Sequence, residues 1–414
     1  MFLIPIIFSP IAALLILIVW LKNRLIKKIH VAMLVFLVAF IGAYWFPWGD
    51  NQSHFAFYYS GIISKYFTWS LSSILFSTYW FYDLIISLVA IFLGSYTWGY
   101  FFWLLVPFMI FSLIIWKAFR AYSPNKMRWQ QLIFLLMFLG IREYLDLNRN
   151  TDAVLLFVSG VILLKFKKYV SSSVLFCLSL LLHDSIRYFV CILPVGYILS
   201  NLSLRKNNML LIIGLLLSNA VVNIILPMVV SERNLTLYLE NVGNSQGVNS
   251  GFMMLQGWCS LFLVFVSYVL LQRHRNIIDK NLYAVFLTAL IVIAYTFPIW
   301  LIRERFILIA NISAAAIILI YWPYLMRERL LKFRGPFLYI SCFGFKIFLN
   351  VALVISSHYV FNSATLNNEK EMEIVCRVAY MPTIFLFNIQ DYGFSDTAFL
   401  SLYDRVNNTI ENER

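Results

Sequence analysis

Charged residues are scarce in this sequence. They fill 12% of the 414 positions, and the acidic ones are fewer than the basic ones, 19 against 32. With 62% of its residues hydrophobic, the chain has too little charge to coat a soluble globule. Metal cages and disulfide frameworks are missing too. The five cysteines, Cys177, Cys191, Cys259, Cys342 and Cys376, are odd in number, widely spaced and form no Cys-x-x-Cys pair, so they read as small apolar fillers. No internal repeat, low-complexity tract or linker divides the chain. The opening MFLIPIIFSPIAALLILIVW has no basic leader and no small-residue cleavage site before it runs into LKNRLIKKIH, which predicts a retained first span.

What is present is a series of apolar runs, each near the 20 or so residues that cross a bilayer. The expected fold class is all-α, a polytopic membrane protein of about twelve transmembrane helices over roughly 3–20, 31–46, 98–116, 129–145, 150–166, 169–183, 186–200, 209–229, 255–271, 282–300, 306–324 and 337–358. Residues 1–360 form the membrane domain. Residues 361–414, acidic on balance and interrupted by Arg377 and Pro382, read as an outer, interfacial tail. Tyr82 to Leu93 is apolar but too short to cross and precedes GSYTWGY, as a re-entrant or interfacial helix would.

The net charge of +13 does not call for a nucleic-acid partner here, because lysine and arginine in such a chain report orientation first. Basic clusters occur at Lys22/Arg24/Lys27/Lys28, Lys117/Arg120/Lys126/Arg128, Lys165/Lys167/Lys168, Arg205/Lys206, Arg273/Arg275/Lys280 and Arg327/Arg329/Lys332/Arg334. Two crossings fit between successive clusters, so all can face the cytoplasm with both termini outside.

That topology gathers a second set of polar residues on the outer face: Asp50 and His54, Arg142 and Arg149, His183 with Asp184 and Arg187, Arg233, and Arg303 with Arg305. These arginines run against the orientation rule. Snorkelling, or pairing with Glu143, Asp146, Asp152, Glu232 and Glu304, would explain any one of them. Taken together they suit a diphosphate, since guanidinium stays charged and its planar fork matches phosphate oxygens. His183 has the chemistry of a general base near neutral pH, or of a histidine satisfied at a helix end by Asp184 or a carbonyl. His183, Asp184 and Ser185 are adjacent on a helix or turn, point in different directions and are not expected to form a triad. The longest outer loop, SERNLTLYLENVGNSQGVNSGFMMLQG, has the length of a lid, and its amides and Tyr238 suit sugar hydroxyls. Tryptophans such as Trp45, Trp48, Trp69, Trp80, Trp98 and Trp300 fall near span ends, as an aromatic belt requires.

The stretch RNTDAVLLFVSGVILLKFKKYVSSSVLFCLSLLLHDS resembles the Arg-x-x-x-Ala, apolar span, basic turn, apolar span and His-x-Ser pattern of EpsG-like, Wzy-type bacterial polysaccharide polymerases. Arg149, Ala153, His183 and Ser185 take its places. Upstream, WFPWGDNQSHFAFYY resembles the family's Asp before an aromatic stretch, with Asp50, Tyr58 and Tyr59, although His54 and Phe55 depart from the usual tyrosine. Downstream, FPIWLIRERFILIA resembles its late arginine, a place for which Arg303 and Arg305 compete. The similarity runs from about Asp50 to Phe306.

The resemblance implies a GT-C-like membrane glycosyltransferase in the bacterial inner membrane, with its site open to the periplasm. It implies transfer of a growing glycan from undecaprenyl diphosphate to a sugar hydroxyl of an undecaprenyl-diphosphate-linked repeat unit, for O-antigen or capsule. Arg149 with Arg303 or Arg305 would hold the diphosphate, His183 would remove the acceptor proton, and Asp50 would orient the acceptor or serve as the base. Arg142 and Arg187 are secondary diphosphate ligands and Tyr238 a sugar contact. No metal or other cofactor is expected, since arginines can do the electrostatic work of a cation. Implied partners are membrane lipid, a Wzz-type chain-length regulator and a Wzx-type flippase. The alternatives are an O-antigen ligase with the same donor, and a transporter or flippase of the lipid-linked oligosaccharide. A transporter would more often show repeat symmetry and polar residues at mid-membrane depth.

Overall fold

A computed structural model describes residues 10–21, 25–44, 81, 84–85, 96–122, 148–225 and 250–325. Asp50, His54, Tyr58, Tyr59, Arg142, Arg233 and Tyr238 lie outside these residues. So do the expected spans 129–145 and 337–358, the tail from 361, Cys342 and Cys376, and most of the segment from Tyr82 to Leu93.

Among the described residues the structure is helical and contains no strand. The helices are α1 (Pro10–Leu21), α2 (Lys28–Tyr44), α3 (Tyr96–Tyr122), α4 (Asn148–Lys165), α5 (Tyr169–Leu182), α6 (Asp184–Asn201), α7 (Leu204–Ala220, continued by a π turn over Val221–Ile225), α8 (Ser250–Arg273), α9 (Lys280–Tyr295) and α10 (Trp300–Ile320). Each overlaps one of the apolar runs, because a backbone in apolar surroundings must satisfy its own N–H and C=O groups and the helix does this within one segment. Two of them, over Phe101–Tyr122 and Leu204–Ile224, are long and apolar enough to cross a membrane.

The core is built on α9 and α10. Leu282 to Ala294 are buried in unbroken succession, and Phe306 to Tyr321 likewise. A helix apolar on every side takes this central place. Around the pair pack α3, α4, α6, α7 and α8, with α2 outside α3 and α5 outside α4. Apolar side chains on the periphery remain exposed, among them Val170, Ile198, Ile212 and Leu216, the surface a lipid-facing helix presents.

Close approaches set the packing. A Cβ on Gly196 of α6 would come within 2.2 Å of the Ala284 carbonyl oxygen of α9, so the two backbones touch where a side chain would hold them apart. In the α4–α5 hairpin, Ser172 Oγ donates to the Gly160 carbonyl at 2.8 Å and Ser179 Oγ to the Ala153 carbonyl at 2.6 Å. The turn between these helices places Lys167 at φ 55°, the left-handed region.

One end of the bundle is closed by a polar latch. Lys165 at the end of α4 lies 3.4 Å from Asp279 and donates to the Tyr321 hydroxyl at 2.9 Å, with the Tyr122 ring 4.7 Å from its ammonium group. The Tyr321 oxygen also accepts the Asp279 N–H at 3.0 Å, and the Asp279 carboxylate caps α9 through the N–H groups of Asn281 and Leu282. Arg275 ties the α8–α9 connection to the Leu202 carbonyl in the α6–α7 turn at 2.7 Å. The basic turns around residues 165, 205 and 275, expected on one face, therefore do gather at one end.

Candidate functional site

Helices α4 and α10 both finish at this latch, so they run parallel and their N-termini lie at the opposite end. Asn150 is 15 residues before Lys165 and Arg303 is 18 before Tyr321, which at 1.5 Å per residue puts them about 23 and 27 Å from the latch. The α4–α5 hairpin returns the chain to that same far end at Leu182. There the helix stops, because His183 is extended (φ −152°, ψ 133°), and α6 begins one residue later.

His183 is the N-cap of α6. Its Nδ1 accepts the Ser185 N–H at 3.1 Å, which satisfies one of the amides that a helix start leaves unpaired. Ser185 Oγ lies 2.8 Å from the same Nδ1 and donates to Asn150 Oδ1 at 2.7 Å. All three side chains are buried. A hydrogen-bonded path thus joins the first turn of α4, where the backbone of Arg149 immediately precedes Asn150, to the α5–α6 junction. The two ends of the Arg149 to His183 stretch, separated by two helices in sequence, meet here.

The extended cap corrects one expectation. His183 and Ser185 were to point apart, as neighbours on a helix do. Residues i and i+2 instead meet, because the first is not yet helical. The exclusion of a triad still holds for Asp184, whose carboxylate turns away to Arg187 at 2.8 Å.

Arg187 itself is committed locally. Its guanidinium pairs with Asp184, and its Nε donates to the Leu180 carbonyl at 2.8 Å, on the outside of the α5–α6 corner. Arg303, half-buried at the start of α10, donates to the Phe297 carbonyl at 2.8 Å and lies 4.8 and 5.8 Å from the Phe297 and Trp258 rings. Such contacts hold a cation where water is sparse. Arg305 is two residues further along and so on a different side of α10. Phe189 links this corner to α10, its ring edge-to-face with Phe157 at 5.7 Å and tilted against Phe306 at 6.1 Å between centroids.

Two residues carry more than the sequence suggested. Asn150 had no signal except its place beside Arg149. Asp152, a candidate counter-ion for an arginine by sequence, is fully buried on α4 with no ion-pair partner among the described residues. The Trp103 indole of α3 is near enough to act on the carboxylate, but among the described residues neither Asp152 oxygen closes a hydrogen bond of ordinary geometry, and Asn150 Nδ2 likewise has no partner there.

No family model, no curated protein and no solved structure matches the chain.

Proposed function

We propose that this chain is a polysaccharide polymerase of the Wzy type, a membrane glycosyltransferase of about twelve spans and GT-C-like architecture. Its latch end faces the cytoplasm and its His183 end faces the periplasm. The reaction moves a growing glycan from undecaprenyl diphosphate to a sugar hydroxyl on a lipid-linked repeat unit. The bond from the anomeric carbon to the phosphate oxygen breaks and its electron pair leaves with the diphosphate. The acceptor oxygen bonds the anomeric carbon and its proton passes to a base. Arg149 with Arg303 or Arg305 holds the diphosphate as charge accumulates on it. His183 and Asp50 are the two groups suited to handle the acceptor.

The observation that supports this reading is the bond from Ser185 Oγ to Asn150 Oδ1. It brings the arginine end and the histidine end of the most specific motif to one place, remote from the basic turns. The α4–α5 hairpin returns the chain to this end, and the Asn150–Ser185 bond fixes the first turn of α4 against the start of α6.

The test is glycan-chain length by gel in a strain lacking the gene, complemented with wild type, Arg149→Ala or His183→Ala at equal membrane level. The expected result is a full ladder with wild type and single-repeat material with both variants, since loss of a group acting on the reacting atoms costs on the order of a hundredfold or more. A deletion strain with an unchanged ladder rejects the function. Long chains retained but no longer joined to the lipid A core would mean a ligase. A full ladder from both variants rejects the site.

A further inference from the structure

The turn between α4 and α5 breaks two local preferences in succession. The Lys168 N–H reaches the Leu163 carbonyl at 3.1 Å and the Lys167 N–H the Leu164 carbonyl at 2.9 Å, the pair of bonds that closes a helix in a Schellman turn. Its left-handed position is held by Lys167, at φ 55°, where glycine is the usual occupant because a Cβ is penalised there. Lys168 then stands as the N-cap of α5 with no side-chain hydrogen bond to the helix, in a place where serine, threonine, aspartate or asparagine would satisfy an amide. Each choice gives up local stability for a cation.

Helix electrostatics accounts for only one of the two. Lys167 follows the negative end of α4, but Lys168 sits at the positive end of α5, whose first turn holds no acidic residue. Among the described residues neither lysine forms an ion pair, whereas Lys165 is engaged in the latch. Both side chains are exposed, and immediately after them Tyr169 is 61% and Val170 80% exposed. The Tyr122 ring lies 6.2 Å from that of Phe166, which brings the end of α3, with its exposed Lys117 and Arg120, alongside the turn. No acidic residue occurs on α3, on α5 or between α4 and α5. Uncompensated cations thus lie beside exposed apolar side chains, and a molecule that matches both has a negative head and a hydrocarbon body.

We infer that the α4–α5 turn, together with the last turns of α3, is a binding site for the phosphate headgroup of an anionic phospholipid, whose chains run beside Tyr169 and Val170. The site depends on the placement of this end at a membrane surface and not on the polymerase reaction.

The test uses the full chain in neutral detergent micelles, with phosphatidylglycerol or phosphatidylcholine added in steps and thermal unfolding as the readout, since a ligand of the folded state raises the midpoint. Phosphatidylglycerol should raise the wild-type midpoint and phosphatidylcholine should not. Without anionic lipid, Lys167→Gly and Lys168→Ser should each unfold later than wild type, by on the order of a degree. Each should also need about fivefold more phosphatidylglycerol for the same shift, as expected from one cation fewer at a membrane surface. A turn with only a structural part would not move these two quantities in opposite senses.

An unchanged response to phosphatidylglycerol in both variants overturns the site and leaves the lysines to the orientation of the chain. Earlier unfolding of both variants in plain detergent overturns the premise that the turn forgoes stability, and the inference with it. The same shift from inorganic phosphate alone, at matched phosphate concentration, overturns the lipid as ligand. Release of the chain from membranes by alkaline carbonate overturns the membrane placement, and the polymerase reading falls too; a flat lipid response with an intact glycan ladder rejects this site alone.

Discussion

The two ends of the bundle use polar groups differently. At the latch end, Lys165, Asp279, Tyr321 and Tyr122 come from four helix ends and satisfy one another, with the ammonium group paired, hydrogen-bonded and set against an aromatic face. At the His183 end, the bonds from Ser185 to Asn150 and to His183 fix a geometry, while Asn150 Nδ2 and both Asp152 oxygens are left buried without a hydrogen bond. Among the described residues such atoms are not confined to that end: Asn207 Oδ1 and the Tyr283 hydroxyl, beside the latch, are also buried without a hydrogen bond, each at a cost of about 1–3 kcal/mol. The ends differ in charge: the latch pairs its ammonium group with a carboxylate, whereas Asp152 at the far end is buried with no ion-pair partner among the described residues.

This contrast can be broken by substitution. The largest effect is expected from Asp279→Ala, which removes the α9 cap and leaves Lys165 half-buried without its anion. Stability should fall by about 2–4 kcal/mol, read as an earlier thermal unfolding transition in detergent, with the glycan ladder unchanged where folded protein persists. Tyr321→Phe is next. It deletes an oxygen that serves two donors, Lys165 Nζ and the Asp279 N–H, at a cost of about 1–3 kcal/mol. If either change shortened the ladder at unchanged stability, the latch end would have to be given a part in the chemistry.

The sequence made the two ends legible to different depths. The order of helices follows from apolar runs bounded by basic turns, since both express the same requirement of a bilayer, and KFKK at residues 165–168 was readable as one of those turns. The latch was not readable. Lys165 and Asp279 are over a hundred positions apart, and nothing in either neighbourhood names the other as partner. At the far end, Arg149 and His183 stood out because polar residues are expensive beside apolar spans. The bond between His183 and Ser185 escaped because both were treated as helical neighbours; it depends on one extended residue between Leu182 and Asp184. Asn150 escaped because a single amide beside an arginine carries no pattern.

The smallest effect, and the sharpest use of the contrast, concerns Arg187. It sits at the His183 end and fits the diphosphate-binding set by sequence, yet its side chain is 46% exposed and bound to Asp184 and the Leu180 carbonyl. An exposed pair three residues apart on one helix is worth no more than about 1 kcal/mol. Arg187→Ala should therefore leave both the unfolding transition and the ladder close to wild type, where the proposed function has Arg149→Ala abolish the ladder. A ladder lost on Arg187→Ala at unchanged stability would mean that the guanidinium leaves Asp184 to meet substrate. The groups proposed to work at this end would then include one that the fold already satisfies.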